Sequence, residues 1–361
     1  MKISQGKIRA LSITTALICI MSAAVAAQDS LPGMIDVGPR QDGPRVPSPS
    51  SRIKLPKKEW SSVAQPEAPV IMHFDGGTFE KSIAVDPRIS VSLCVTQGDV
   101  KINGWSRNEV RVFVKDGSKI GFNTLQKGRQ NEKPVWIKIV GVDPDKPGQQ
   151  RSCLWGDEVE IDVPTGASIN MEGKATRTIV DSVRKVAINN AGGDISIRNV
   201  SEGVDATTYQ GDVNVENSDG MITLNTTSGN ILAFELSPSE VGDIFKARSN
   251  SGRIALQNLE HRQVDVNSIS GSVLFSGELL AGGVYDIRTT NGSLTLNIPA
   301  NSPCFLSATY MEGNFSSELP LKLMTENLTP GPVKTLKGTL GQGDCKLTLA
   351  NSNGAIRLRK P

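Results

Sequence analysis

The chain has 361 residues, and its 39 basic and 37 acidic side chains nearly balance. This balance argues against the strong positive field with which proteins gather nucleic acid or anionic lipid. Aromatic residues make up only 4% of the chain, which argues against an extended platform for stacking sugar rings.

The first 27 residues have the pattern of a signal peptide. Lys2, Lys7 and Arg9 form a basic segment, and the apolar run that follows ends in the small residues AVAA. The alternative is a signal anchor, although the run is short for a membrane span. We expect cleavage at Ala27 or Gln28, which leaves 36 basic and 37 acidic residues and a net charge of −1. The sequence therefore predicts an exported chain with no integral membrane segment after cleavage.

Residues 28–69 are rich in proline and serine, as in VGPRQDGPRVPSPSS. Proline fixes φ and removes a hydrogen-bond donor, and the segment has few apolar side chains to bury. We predict a disordered or extended linker between the signal peptide and a folded body.

Residues 70–180 contain the first strand signals. Gly98 begins the phrase GDVKI, and Gly104-Trp105 follows it before another alternating segment. We interpret this region as an N-terminal β cap or first coils that carry an insertion at 116–157. Trp105 is predicted to be a structural cap that plugs the end of the core, with ligand stacking as the alternative.

Residues 181–361 repeat a short phrase in which a polar turn and a glycine precede a strand. In nearly all copies apolar residues stand two and four places after the glycine, which is the alternation of a half-buried strand. Glycine suits such a corner because positive φ is costly for a residue with a Cβ. The predicted structural corner glycines are Gly98, Gly193, Gly211, Gly229, Gly252, Gly271, Gly292 and Gly354.

The repeat predicts an all-β fold. Most units recur about every 18 to 23 residues, and no sustained helical stripe is present. A unit of this length, made of very short strands, is typical of a β-solenoid or β-helix-like stack. The alternative is a β-sandwich, since strand–turn–strand is also a hairpin pattern.

Four cysteines follow the signal peptide: Cys94, Cys153, Cys304 and Cys345. An even number in an exported chain predicts disulfides. Three pairings are possible, and we favour Cys94–Cys153 with Cys304–Cys345 because each closes a loop within one end of the chain. The cysteine spacings do not match a metal site, and His73 and His261 stand far apart, so we expect no metal and no cofactor.

The phrases GDVKINGWSRNEVRV and VEIDVPTGASINM, with the later SG-x-[IV] phrases, resemble the bacterial "putative adhesin" family, a domain of unknown function. The resemblance covers most of residues 80–361. It implies an exported β-solenoid-like protein without an established enzymatic activity. The chain departs from shorter members in its insertion, its linker and its paired cysteines.

Catalytic patterns are sparse in the sequence. Asp99, Asp194 and Asp212 share the place after a corner glycine, but Asn230 and Arg253 occupy it in later copies, so turn chemistry explains the position better than a catalytic ladder. A glycan-active β-helix enzyme, either a lyase or a hydrolase, would need several converging carboxylates. A groove lined with Ser, Thr and Asn would argue against it.

We therefore predict a non-enzymatic envelope protein, either an adhesin or a binding scaffold at the surface or in the periplasm. The alternative is the glycan-active enzyme. The expected partner is an envelope or surface ligand, protein or glycan, and no nucleic acid. Irregular loops within the insertion, in the range 117–150, are a hypothetical recognition site, with a solvated cap loop as the alternative.

Overall fold

The computed structural model describes residues 77–126, 132–142, 150–151, 153–240, 242–327 and 332–361. Contacts divide the chain into Met1–Pro69 and Val70–Pro361, and every described residue belongs to the second unit. The predicted signal peptide and linker lie outside the described residues. In the part that is described, the chain forms 26 strands and no helix, so no helix there could cross a membrane.

The strands are numbered in chain order. The N-terminal strands are β1 (Gly77–Ala84), β2 (Ser90–Trp105), β3 (Glu109–Gly117), β4 (Lys119–Gln126), β5 (Pro134–Val142), β6 (Gln150–Arg151) and β7 (Glu158–Pro164). The central strands are β8 (Ser168–Asp181), β9 (Lys185–Gly192), β10 (Ile195–Arg198), β11 (Val204–Gln210), β12 (Val213–Asp219), β13 (Ile222–Ser228), β14 (Ile231–Ser237), β15 (Ile244–Ser251), β16 (Ile254–Leu259), β17 (Gln263–Ser270), β18 (Val273–Ser276), β19 (Val284–Asn291) and β20 (Leu294–Asn297). The last strands are β21 (Cys304–Glu312), β22 (Phe315–Ser317), β23 (Lys322–Asn327), β24 (Lys334–Leu340), β25 (Cys345–Asn353) and β26 (Ile356–Arg359).

The strands stack as coils, each of which contributes one strand to each of two faces. On the front face β11 pairs in parallel with β9 and β13, and on the back face β12 pairs in parallel with β10 and β14. From β9 to β20, equivalent residues in neighbouring coils are 18 to 23 positions apart. Because the pairing is mostly parallel, the molecule is not a sandwich built from hairpins. The predicted all-β, solenoid-like stack is confirmed.

The two faces enclose a narrow core of inward-facing side chains. The strands of the central coils alternate buried and more exposed residues, as in β13, where Ile222 and Leu224 are buried between half-buried neighbours. Most inward residues are Val, Ile or Leu, and the larger rings of Phe245, Phe275 and Tyr285 are also fully buried. Full burial of one such aliphatic or aromatic side chain contributes about 1.5–3 kcal/mol.

The coils do not follow the order of the chain at the C-terminal end. The last coil of the chain, β25 and β26, lies between the β19–β20 coil and the β21–β22 coil. Two antiparallel strands, β24 and then β23, extend the front face beyond β21. The chain terminus is therefore paired on both sides, and the β23–β24 hairpin forms the edge of the front face.

The N-terminal end of the stack is built differently. The long strands β2 and β8 run in parallel and pass from the front face to the back face. Strand β5 pairs with the first half of β2, and β7 pairs with the second half. The predicted insertion at 116–157 thus contributes β4 and β5 to the front face, with β4 antiparallel to β5. On the back face β3 pairs antiparallel with β7, and β1 forms the edge.

Candidate ligand-binding grooves

The corner glycines stand where each front strand turns into its back strand. Seven of the eight predicted glycines have positive φ, and Gly271 does not. Close stacking is a second reason for glycine at this corner. A Cβ at Gly252 would lie 1.9 Å from the carbonyl oxygen of Gly229 in the neighbouring coil, and one at Gly271 would lie 1.9 Å from that of Gly252. The corner glycines therefore form a column in which backbone contacts backbone.

A buried polar residue stands three positions before most of these glycines and hydrogen-bonds the glycine carbonyl of the neighbouring coil. The hydroxyl of Thr226 donates to the oxygen of Gly211 at 3.0 Å, and that of Thr289 donates to Gly271 at 2.8 Å. Thr208, Ser249 and Asn351 make the equivalent bonds. The signal for this bond in the sequence is a Thr, Ser or Asn three places before the glycine.

The Asp residues that follow the corner glycines have a structural partner. Asp194 Oδ1 accepts from the backbone N of Asp212 at 2.9 Å, and Asp212 Oδ1 accepts from the backbone N of Asn230 at 2.7 Å. Asn230 Oδ1 in turn accepts from the backbone N of Arg253 at 2.9 Å. Each side chain thus satisfies a turn N–H in the next coil. Among the described residues, no group of three His, Cys, Asp or Glu could hold a metal ion.

Both disulfides that we favoured are present. Cys94 and Cys153 have Cα atoms 4.5 Å apart, and this bond ties the segment before β7 to the first half of β2. Cys304 and Cys345 lie opposite each other on β21 and β25, with Cα atoms 4.3 Å apart. The second disulfide therefore joins the two coils whose order departs from the order of the chain.

Trp105 lies at the end of β2 and is half-buried on the surface. Its indole N–H donates to the carbonyl oxygen of Glu109 at 2.8 Å. The guanidinium groups of Arg107 and Arg111 lie 5.1 and 6.0 Å from its ring centroid. The Trp105 ring therefore packs against the guanidinium groups of Arg107 and Arg111.

His261 is fully buried in the turn between β16 and β17. Its Nε2 lies 2.7 Å from the carbonyl oxygen of Gly220, so this nitrogen donates. Burial lowers the pKa of His261 from its ordinary value of 6.5, despite the hydrogen bond to Gly220 and nearby carboxylates. A neutral histidine with this structural bond is poorly placed to act as a base. His73 lies outside the described residues.

A polar groove of about 350 Å³ lies on the outer side of the front face, across β8, β9, β11 and β13. Tyr209 is 61% exposed at its rim. The other lining side chains include hydroxyl and amide groups, one carboxylate and one amine, together with the apolar surface of Cys94 and Ala191. They include Glu172, Lys174, Asn189, Thr207 and Thr227.

An apolar groove of about 480 Å³ lies on the outer side of the back face. Leu232 and Phe234 project outward from β14 and are 40% and 36% exposed. Ile179 adds apolar surface, whereas Arg198 and Glu216 supply opposite charges at the side. This groove can bind an apolar group flanked by polar ones.

A hydrogen-bonded carboxylate stands beside the apolar groove. Burial alone would raise the pKa of Asp181, but hydrogen bonds from Asn199, Ser182 and Arg198 lower it below its ordinary value. These bonds measure 2.7, 2.7 and 2.8 Å. Asp181 is therefore an ionised partner of Arg198 and not a proton donor.

Neither groove has the carboxylates that glycan cleavage needs. The polar groove contains Glu172 and the apolar groove contains Glu216 as their lining carboxylates. A cleavage mechanism by general acid and base uses two carboxyl groups on either side of the bond. Thr and Asn side chains line the polar groove beside Glu172 and Lys174, so this groove lacks three converging carboxylates.

The predicted recognition loops are only partly described. Residues 127–131 and 143–149 of the insertion lie outside the described residues. The described part of the insertion is a paired part of the front face, so its strands have a structural role.

Comparison with known proteins gives a family. The model of the Toastrack DUF4097 family matches residues 156–359, which is more than half of the chain and confirms the resemblance to a domain of unknown function. No curated protein matches the chain.

Similar solved structures share little sequence with this chain. A "putative adhesin" from Bacteroides fragilis is 12% identical over 78% of this chain and 96% of its own, with a TM-score of 0.37. A "putative lipid binding protein" from Parabacteroides distasonis is 12% identical over 79% and 98%, with a TM-score of 0.30. A "putative cell adhesion protein" from Clostridium sporogenes is 9% identical over 79% and 100%, with a TM-score of 0.22. On the strength of the family match, the chain belongs to the Toastrack DUF4097 family.

Proposed function

We propose that this protein is an exported, non-enzymatic binding scaffold of the cell envelope, and that the polar groove binds a neutral, hydroxyl-rich ligand such as a glycan segment. The observation that carries the proposal is the lining of this groove. Hydroxyl and amide groups from neighbouring coils stand beside the exposed ring of Tyr209. Such groups donate and accept hydrogen bonds, and an aromatic ring can cover the apolar side of a sugar.

The stack explains how these groups hold their positions. Thr207 and Thr227 stand on β11 and β13, and those strands are paired in parallel with each other and with their other neighbours. The hydroxyl of Thr207 accepts a hydrogen bond from Asn225 at 3.3 Å. A surface fixed by paired strands loses little conformational entropy when a ligand binds. Rigidity of this kind suits recognition by a repeating surface.

The proposal also includes export from the cytoplasm and a role in adhesion. The sequence pattern of residues 1–27 supports export, and the two disulfides fit an oxidising compartment outside the cytoplasm. A protease added to intact cells that make a C-terminally tagged chain tests the location. Cleavage in intact cells supports adhesion, whereas protection until the cells are permeabilised supports a periplasmic scaffold and overturns the adhesin role.

Binding to an array of envelope polysaccharides tests the groove. We expect Tyr209→Ala to lose binding at least tenfold, because burial of an aromatic side chain against a ligand contributes about 1.5–3 kcal/mol. Ile269→Ala is the matched control, since Ile269 is a similarly exposed side chain on the same face, 51% accessible, on β17. Equal binding by both variants would rule out the polar groove as the site.

A further inference from the structure

We propose that the C-terminal end of the front face docks on an anionic membrane surface. The docking surface consists of three exposed apolar side chains and three exposed lysines, which we call the basic–apolar patch: Val284, Phe305, Met324, Lys322, Lys337 and Lys346. It lies apart from both grooves, and the inference does not depend on the proposed function.

Strand register brings the patch together. A row of aligned residues crosses five strands, from Val284 on β19 through Lys346 on β25, Phe305 on β21 and Thr339 on β24 to Lys322 on β23. Apolar and basic side chains therefore alternate along most of the row. With strands about 4.8 Å apart, the row spans roughly 19 Å.

Two further residues widen the row. Thr339 donates a hydrogen bond to the sulfur of Met324, which places this methionine beside the row on the outer side. Lys337 lies opposite Ser307 on β21 and opposite Thr325 on β23. The patch thus surrounds its apolar centre with three amines.

The apolar side chains are accessible. Phe305 is 51% exposed, Met324 is 65% exposed and Val284 is 48% exposed. The front face ends at the edge strand β23, which carries Lys322 and Met324. Exposed aromatic and apolar side chains of this kind insert at the boundary between headgroups and acyl chains.

The charge of the three lysines determines which kind of partner the patch can bind. Over the described residues, Lys322, Lys337 and Lys346 form no ion pair, unlike Arg248 and Arg288 on the same face, which pair with Asp265 and Asp286. Among the described side chains, the exposed carboxylate of Asp344 follows the turn next to the patch. The six patch residues themselves carry three amines and no carboxylate, although the whole chain is nearly neutral.

Unpaired lysines around apolar side chains fit an anionic lipid surface by charge and by hydrophobicity together. Juxtaposed lysines are attracted to acidic headgroups within about one Debye length, which is roughly 8 Å at physiological salt. Each lysine near such a surface raises affinity roughly fivefold, so three raise it on the order of 100-fold.

Co-sedimentation with vesicles tests the patch. The exported chain is mixed with vesicles of phosphatidylcholine, either alone or with one third phosphatidylglycerol. We expect binding to the anionic vesicles and none to the neutral ones. The triple variant Lys322→Ala, Lys337→Ala, Lys346→Ala should lose binding on the order of 100-fold. Absence of wild-type binding to the anionic vesicles would overturn the proposal.

A matched control separates the patch from net charge. Lys115, Lys133 and Lys185 are exposed and lie outside both the patch and the grooves, and changing all three to alanine removes the same charge. The control variant should bind as the wild type does. Equal losses in both triple variants would show that net charge alone matters, and would overturn the assignment to this surface.

A fluorescent variant tests insertion directly. In Phe305→Trp the new indole stands at the centre of the patch, and brominated anionic lipid should quench its emission beyond the quenching seen in the wild type. Far-UV circular dichroism confirms that the variant is folded. A folded Phe305→Trp variant that binds vesicles without extra quenching would place the contact elsewhere on the molecule.

Discussion

Replacing Gly252 with alanine should break the column of corner glycines. Gly252 has a φ of 144°, which is available to glycine but costs other residues about 1–3 kcal/mol. The new Cβ would also lie 1.9 Å from the carbonyl oxygen of Gly229, a backbone atom that cannot rotate away. Moving the coils apart strains the flanking bonds from Gly229 N to Ser251 O and from Ile231 N to Arg253 O, both 2.9 Å. Each such bond contributes about 1 kcal/mol, so the expected total loss is about 3–5 kcal/mol.

The assay is equilibrium unfolding in urea, followed by far-UV circular dichroism with the disulfides intact. Gly282→Ala is the control, since Gly282 has a φ of 70° but no atom within 4 Å of the new Cβ. This control should lose only about 1 kcal/mol, from backbone strain alone. If Gly252→Ala loses no more stability than Gly282→Ala, contact between neighbouring coils is not the reason for glycine at the corner.

Three further substitutions test other parts of the stack. Thr226→Val should cost about 1–2 kcal/mol in urea unfolding because it leaves a buried glycine carbonyl without its donor, whereas Thr227→Val on the outer side should cost less than 0.5 kcal/mol, roughly the effect of a surface change. Cys304→Ser with Cys345→Ser should lower stability by about 4 kcal/mol, the loop entropy for a separation of 41 residues, and an unchanged midpoint would contradict this. His261 has a lowered pKa in the folded chain, so the unfolded chain binds the proton more readily and stability should fall as pH drops below 6.5. His261→Gln should flatten that part of the pH profile, and an equally steep profile in the variant would refute the assignment.

Local sequence patterns predicted the repeat because their causes lie within one coil. Gly211 stands at a corner that requires positive φ, and alternation in β13 follows from one inward and one outward face. Both features depend on residues within a few positions of each other. The same holds for Asp194 and Asp212, whose turn role was predicted from their place after glycine and is seen in their bonds to backbone N–H groups.

Other features could not be predicted because they depend on which coils become neighbours. The sequence places Gly313 before Gly354, yet a Cβ at Gly313 would contact the carbonyl of Gly354, and one at Gly354 would contact that of Gly292. Parallel coils of similar length can pair in more than one order, since each offers the same ladder of N–H and C=O groups. In the order that the structure adopts, β24 pairs antiparallel with β21, and β23 pairs antiparallel with β24.

The sequence by itself determined the all-β class, the coil length and the corner glycines, which follow from backbone geometry and from alternation over short distances. It left three disulfide pairings possible. Only the tertiary structure decided the order of the last coils, the half-buried position of Trp105, the two grooves and the basic–apolar patch. Lys322 on β23 and Lys346 on β25 share one surface, with β24 and β21 between them, because strand register and not chain proximity sets which side chains share a surface.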